Sequence, residues 1–264
     1  MNVHTIRRRA MALALVLVGR TALHAQSNPT PSAKAADSIR VAIEAGVDAG
    51  DLTAIEAAAA LAERALAAYP DDAMLLHYRA YALYRAGTLV FGRDGSGKAR
   101  PYFDRARDIL EPLSKRPTIP ETYGLLASVY GMQIASAKVS MLAGMRLGPK
   151  SNATLDRAVA AGPNNPRVWV MRGIGAFNTP STFGGGLDKA ESFLKKALDL
   201  AATDAPEPPL PAWGRADAHI WLGRVYAKQK HREEARAEFE KARELQPRNF
   251  WITQVLLPSL DRQP

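Results

Sequence analysis

The chain has 264 residues, 47% of them hydrophobic, no cysteine and a formal charge of +9. That length and apolar fraction can bury a sizeable core in one or two domains. The lack of cysteine excludes a disulfide framework, a thiolate metal site and a lipid-modified cysteine.

The chain opens with Arg7, Arg8 and Arg9, followed by an apolar run from Ala10 to Val18 and small residues at Ala22 and Ala25. A charged start, a short apolar middle and a small-residue exit form a secretory signal, expected over residues 1–25, with Gln26 first after the cut. The run falls short of the ~20 residues that span a bilayer. A short membrane anchor is the competing reading, and Arg20 interrupts the exit region on either one. The arginine cluster resembles the twin-arginine route. Residues 1–25 hold four arginines and no acid, so the remainder carries 9 − 4 = +5. The basic balance therefore overstates any case for nucleic acid, and export to the periplasm or beyond weakens it further.

Gln26 to Lys34 (QSNPTPSAK) reads as a flexible leader, and residues 35–264 as one helical repeat domain. Ala, Leu, Arg, Glu and Lys abound while Val-Ile-Thr runs are scarce, which favours helix over strand. Ala58, Ala65 and Pro70 fit the second helix of a first pair. A helix from about Ala73 to Arg85 and one carrying Ala99, Phe103 and Ala106 make the next pair, with Gly87 to Gly97 as linker. Tyr123, Leu126, Ala127 and Tyr130 mark a further first helix. Its partner is expected over Ser151 to Ala161, after an insertion carrying Met141 and Met145. Trp169, Arg172 and Gly173 open another pair whose second helix holds Ala190 and Ala197, with Asn178 to Gly186 as linker. Asp204 to Pro211 (DAPEPPLP) is proline-dense and reads as an exposed connection.

The clearest repeat is the last. Leu222, Gly223, Tyr226, Ala235, Phe239, Ala242 and Pro247 fall at fixed spacing across Ala216 to Asn249. Gly223, Ala235 and Ala242 let two antiparallel helices approach, Tyr226 and Phe239 fill the space between them, and Pro247 stops the second helix. Phe250 to Leu260 is apolar at helical spacing and reads as a cap on the last repeat.

Those seven positions resemble the tetratricopeptide repeat consensus. The resemblance implies an all-α solenoid of about four antiparallel helix pairs plus a C-terminal capping helix. Thr179 to Ala190 resembles exported bacterial members of the family and, more loosely, the periplasmic component associated with TRAP transporters.

Gly92 to Ala99 (GRDGSGKA) nearly matches a phosphate-binding loop, but Ala99 replaces the magnesium-ligating hydroxyl and a helix precedes it where a strand is required. A glycine-rich helix entry, with Ala99 as a packing residue, accounts for it. His77, His219 and His231 sit in no metal-ligand pattern, and no nucleophile elbow is present. Glu233 and Glu234 after His231 mark a helix start, where acids suit the dipole. No cofactor, metal or catalytic set is expected, and the chain reads as non-catalytic.

The resemblance also implies that the first helix of each pair lines a concave face. By position that face would hold His77, Tyr78, Tyr81, Tyr84 and Arg85 from the second pair, and Asp217, Trp221, Arg224 and Lys228 from the last repeat. Rings give contact area and guanidinium pairs carboxylates, which suits a protein or peptide partner. The tyrosine spacing fits a buried face equally well. The alternative function is a periplasmic small-ligand or transporter-accessory protein, in which the Met141–Met145 segment and the Phe91 and Phe183 glycine loops would enclose a pocket.

Overall fold

A computed structural model describes residues 29–262, and the expected signal at 1–25 lies outside them. Among the described residues there are helices and turns and no strand. Five antiparallel pairs follow one another, in line with the solenoid of about four pairs expected. They are α1 (Pro31–Ala49) with α2 (Leu52–Ala68), α3 (Ala73–Asp94) with α4 (Ser96–Leu113), and α5 (Pro120–Ala135) with α6 (Ser140–Ala161). Then come α7 (Pro166–Asn178) with α8 (Leu187–Ala201) and α9 (Arg215–Lys228) with α10 (Arg232–Leu245). A π-helical segment, Trp251–Leu256, runs into α11 (Leu257–Asp261) and forms the cap.

Local chemistry sets the boundaries. Thr30 accepts the Ala33 amide with Pro31 in the first turn, so α1 begins inside the stretch expected to be a flexible leader. Asp51 and Asp72 cap α2 and α3 in the same way. Asn165 caps α7 ahead of Pro166. Asn249 accepts the amides of Trp251 and Ile252, opening the cap segment.

One expected loop is helical. Gly87 to Gly97 is not a linker: α3 runs to Asp94, and the only break before α4 is Gly95, at φ 87°. Gly87 is a packing glycine. A Cβ there would lie 2.7 Å from Phe103, as one at Gly223 would lie 2.6 Å from Phe239. The same sixteen-residue offset separates both pairs, so the second repeat is regular where its glycines suggested a loop. The expected insertion before Ser151 is present as helix: α6 runs unbroken from Ser140, and Ser151, where the regular partner helix was expected to begin, donates to the Ala127 carbonyl at 3.0 Å.

Ala99, Phe103, Ala106, Ala190, Ala197, Ala235, Phe239 and Ala242 are all buried, as the repeat spacing requires. The pairs curve far enough for the last to meet the first. Asn249 donates to Asp48 at 3.1 Å, and the Phe250 ring sits against Gly50, with the Arg93 guanidinium 5.7 Å from its centroid. The concave face expected of the first helices thus belongs to a closed turn of solenoid.

Candidate binding site

The residues expected to line the concave face separate into two groups. His77, Tyr78 and Tyr81 of α3 are buried. The His77 Nδ1 lies 3.0 Å from the Thr122 hydroxyl of α5, and burial holds its pKa down at about 4, against partial support from Glu121. Tyr78 donates to the Pro209 carbonyl. Tyr81 stacks between His77 and Trp213, each ring 6.3 Å away. These three are core because α5 and the connection after α8 cover α3: the connection is largely exposed from Asp204 to Leu210, as expected, but turns Pro209 and Trp213 back over the helix.

Arg167 pins that connection. Its guanidinium donates to Glu121 at 2.7 Å, to both Asp204 oxygens and to the Trp213 carbonyl, with its side chain 4% exposed. Nothing in the repeat consensus marks this residue. The available signal is an arginine in the first turn of a helix, where the dipole disfavours a cation unless carboxylates surround it.

Arg85 bonds the Tyr81 hydroxyl at 3.1 Å. Burial works against its charge, but Tyr81 and Asp217 more than compensate, so its pKa is raised. The Asp217 carboxyl is pushed up by burial despite Arg85. This group is internally compensated and offers no unmatched charge to a partner.

The second group is different. Arg224 of α9 lies over three rings, 4.0 Å from the centroid of Trp221, 4.9 Å from Phe177 and 5.2 Å from Trp251. Phe177 and Trp221 meet edge-on at 5.5 Å, as do Trp221 and Trp251 at 5.9 Å. Among the described residues no carboxylate pairs with Arg224. Burial alone lowers its pKa to about 10, with no opposing charge to raise it. One turn on, the exposed Lys228 approaches Phe177, its ammonium 4.9 Å from the ring centroid. An open cleft of about 270 Å³ runs beside them, lined also by Leu256 and Ser259 of the cap. The family resemblance points to Trp221, Arg224 and Lys228, which the structure brings together here. It missed Phe177 and Trp251, which come from the preceding pair and the cap.

A partly buried guanidinium with no carboxylate partner, an adjacent ammonium and an apolar wall can hold a carboxylate attached to an apolar chain. A wider depression of about 660 Å³ on α8, lined by Asp188, Glu191, Lys195 and Lys196, is the charged face of a single helix. Phe91 lies within α3, and Phe183, Met141 and Met145 point outward at 70% exposure or more, so these do not enclose the pocket the alternative function requires. The phosphate-loop likeness does not survive either: Gly92 is helical, and Lys98 reaches Asp94 at 3.6 Å on the surface.

The fold is that of an α-solenoid of the tetratricopeptide type. Residues 216–249 match the tetratricopeptide repeat family, so the last pair is such a repeat. A thermophilic TPR protein of Thermus thermophilus is 21% identical, covers 86% of this chain and 98% of its own, and superposes with a TM-score of 0.63. The HusA haemophore of Porphyromonas gingivalis is 24% identical, covers 76% of this chain and 96% of its own, and has a TM-score of 0.59. Both likenesses are of fold. A comparison with curated protein sequences returned no match.

Proposed function

We propose that this chain is an exported, non-catalytic solenoid that binds a protein or peptide partner. It does so by seating an acidic group of the partner on Arg224 beside Lys228. The observation that carries the reading is the unmatched, ring-enclosed guanidinium. A partly buried charge without a counter-ion is unfavourable in isolation, and an incoming carboxylate supplies a partner that no described carboxylate does. The signal-like residues 1–25 support a location in the periplasm or outside the cell, where the partner would be met. The repeat fold supports recognition by shape over catalysis.

The test is capture of partners from an extracytoplasmic extract by the wild-type chain and by Arg224→Ala and Lys228→Ala variants, followed by titration of the captured species. Loss of a charge-assisted contact is worth about 1.5–3 kcal/mol, so Arg224→Ala should weaken binding by roughly ten- to a hundred-fold. Retention of every partner by the Arg224→Ala/Lys228→Ala double variant would reject the site.

A further inference from the structure

The first half of α6 presents its apolar side to solvent. Met141, Leu142 and Met145 are 70%, 60% and 71% exposed, whereas Leu147 is buried. At about 100° per residue the three exposed side chains share a stripe with Pro149, on the side of the helix opposite Leu147. Val139, just before the helix, is 52% exposed and extends the stripe. A cluster of this kind on a folded chain marks an interaction surface.

Its flanks are cationic. Lys138, Arg146 and Lys150 are all exposed, and no side-chain ion pair or hydrogen bond engages them among the described residues. No aspartate or glutamate occurs from Thr122 to Leu155. The carboxylates bounding that stretch, Glu121 and Asp156, are already paired with Arg167 and Arg172. Because α5 and α7 run parallel, the turn after α7 lies on the same edge of the solenoid as the turn after α5. There Phe183 stands 73% exposed.

We propose that this edge docks on an anionic lipid surface. Met141, Leu142 and Met145 enter the headgroup region, and Lys138, Arg146 and Lys150 meet the phosphates. Exposed apolar side chains with Lys and Arg beside them, here Arg146 at the stripe's border and Lys138 and Lys150 at the segment's two ends, are what interfacial binding requires. No helix among the described residues is long and apolar enough to cross a membrane, so the chain would lie on the surface. A second copy is the poorer occupant. A two-fold interface through this stripe would bring the cations of both copies together with no acid from the same segment to separate them.

The experiment is co-sedimentation of the full chain with vesicles of phosphatidylcholine alone and of phosphatidylcholine mixed with phosphatidylglycerol. Peroxide oxidation of Met141 and Met145, read by mass spectrometry, reports on the same samples. Binding to the anionic vesicles is expected, with weakening at high salt and protection of both methionines. Each cation near such a surface is worth about five-fold in binding, so Arg146→Ser/Lys150→Ser should lower it roughly 25-fold. Met141→Ser/Met145→Ser should lose binding with an unchanged melting curve, since both side chains are exposed. The proposal fails if neutral vesicles bind equally, if the methionines are not protected, or if the variants sediment like wild type. Residues 1–28 are identical in every variant, so binding that belongs to them produces that last outcome. It also fails if the methionine substitutions abolish self-association and leave lipid binding intact, which would make the stripe a contact between copies.

Discussion

Arg224 should be a site where function opposes stability, and its replacement by methionine tests this. Burial lowers the guanidinium pKa to about 10, and at about 1.4 kcal/mol per tenfold change in proton affinity the charged form is disfavoured by roughly 3 kcal/mol. The side chain keeps some solvent contact, which trims that figure, and the surrounding rings return about 1 kcal/mol. The net cost of the charge is about 1–2 kcal/mol. Methionine retains an unbranched stem against Phe177, Trp221 and Trp251 and removes the charge. Arg224→Met should therefore be more stable than wild type, by about 2–8 °C in melting temperature for a domain of this size. The assay is thermal unfolding followed by circular dichroism, with and without a short peptide ending in an acidic residue. The peptide should raise the wild-type melting temperature and leave the variant unmoved. A variant that melts below wild type, with no peptide present, would show that the rings hold the guanidinium more tightly than burial penalises it. The fold itself would then satisfy Arg224, and no partner carboxylate would be called for.

Three further outcomes follow from the same packing. Arg167→Ala leaves Glu121 buried and releases Trp213, a loss of about 3–5 kcal/mol that should lower the melting temperature by roughly 10 °C, whereas Arg224→Met raises it. With its pKa held at about 4, buried His77 stays neutral in the folded state while the unfolded chain takes up a proton below about 6.5. Stability should therefore be complete above pH ~6.5 and fall by about 3 kcal/mol as the pH drops to ~4, and His77→Asn should flatten that slope in urea melts. At Gly50, φ is 62° and a Cβ would meet the Phe250 ring at 2.9 Å. Gly50→Ala should cost about 1–3 kcal/mol, part of which returns in Gly50→Ala/Phe250→Ala because only the ring contact is relieved.

What the sequence made legible is what recurs at short range. The spacing of Gly223, Ala235, Phe239 and Ala242 defines a helix pair because each residue's partner lies within one hairpin. The same grammar placed Ala58, Ala99, Phe103 and Ala106 in the core. It failed where one residue type serves two purposes. Gly87 sits beside a glycine-rich stretch and reads as loop, yet its lack of a side chain is what lets Phe103 approach α3.

The burial of Tyr78 and Tyr81 depends on contacts no local pattern records. Tyr78 reaches Pro209 across 131 residues, and Asn249 reaches Asp48 across 201. Such contacts arise only once the pairs have stacked and their small rotations have added up to a closed turn. A tyrosine stripe on a first helix is therefore a groove in an open solenoid and a core in a closed one, and α3 alone cannot distinguish them. Charge could have done so. Arg85 stands among Tyr81, Asp217 and Asp48, which satisfy it, while Arg224 has rings and no carboxylate. In a repeat scaffold whose curved face is partly consumed by its own closure, a partly buried cation with no carboxylate beside it is the better indicator of where a partner binds.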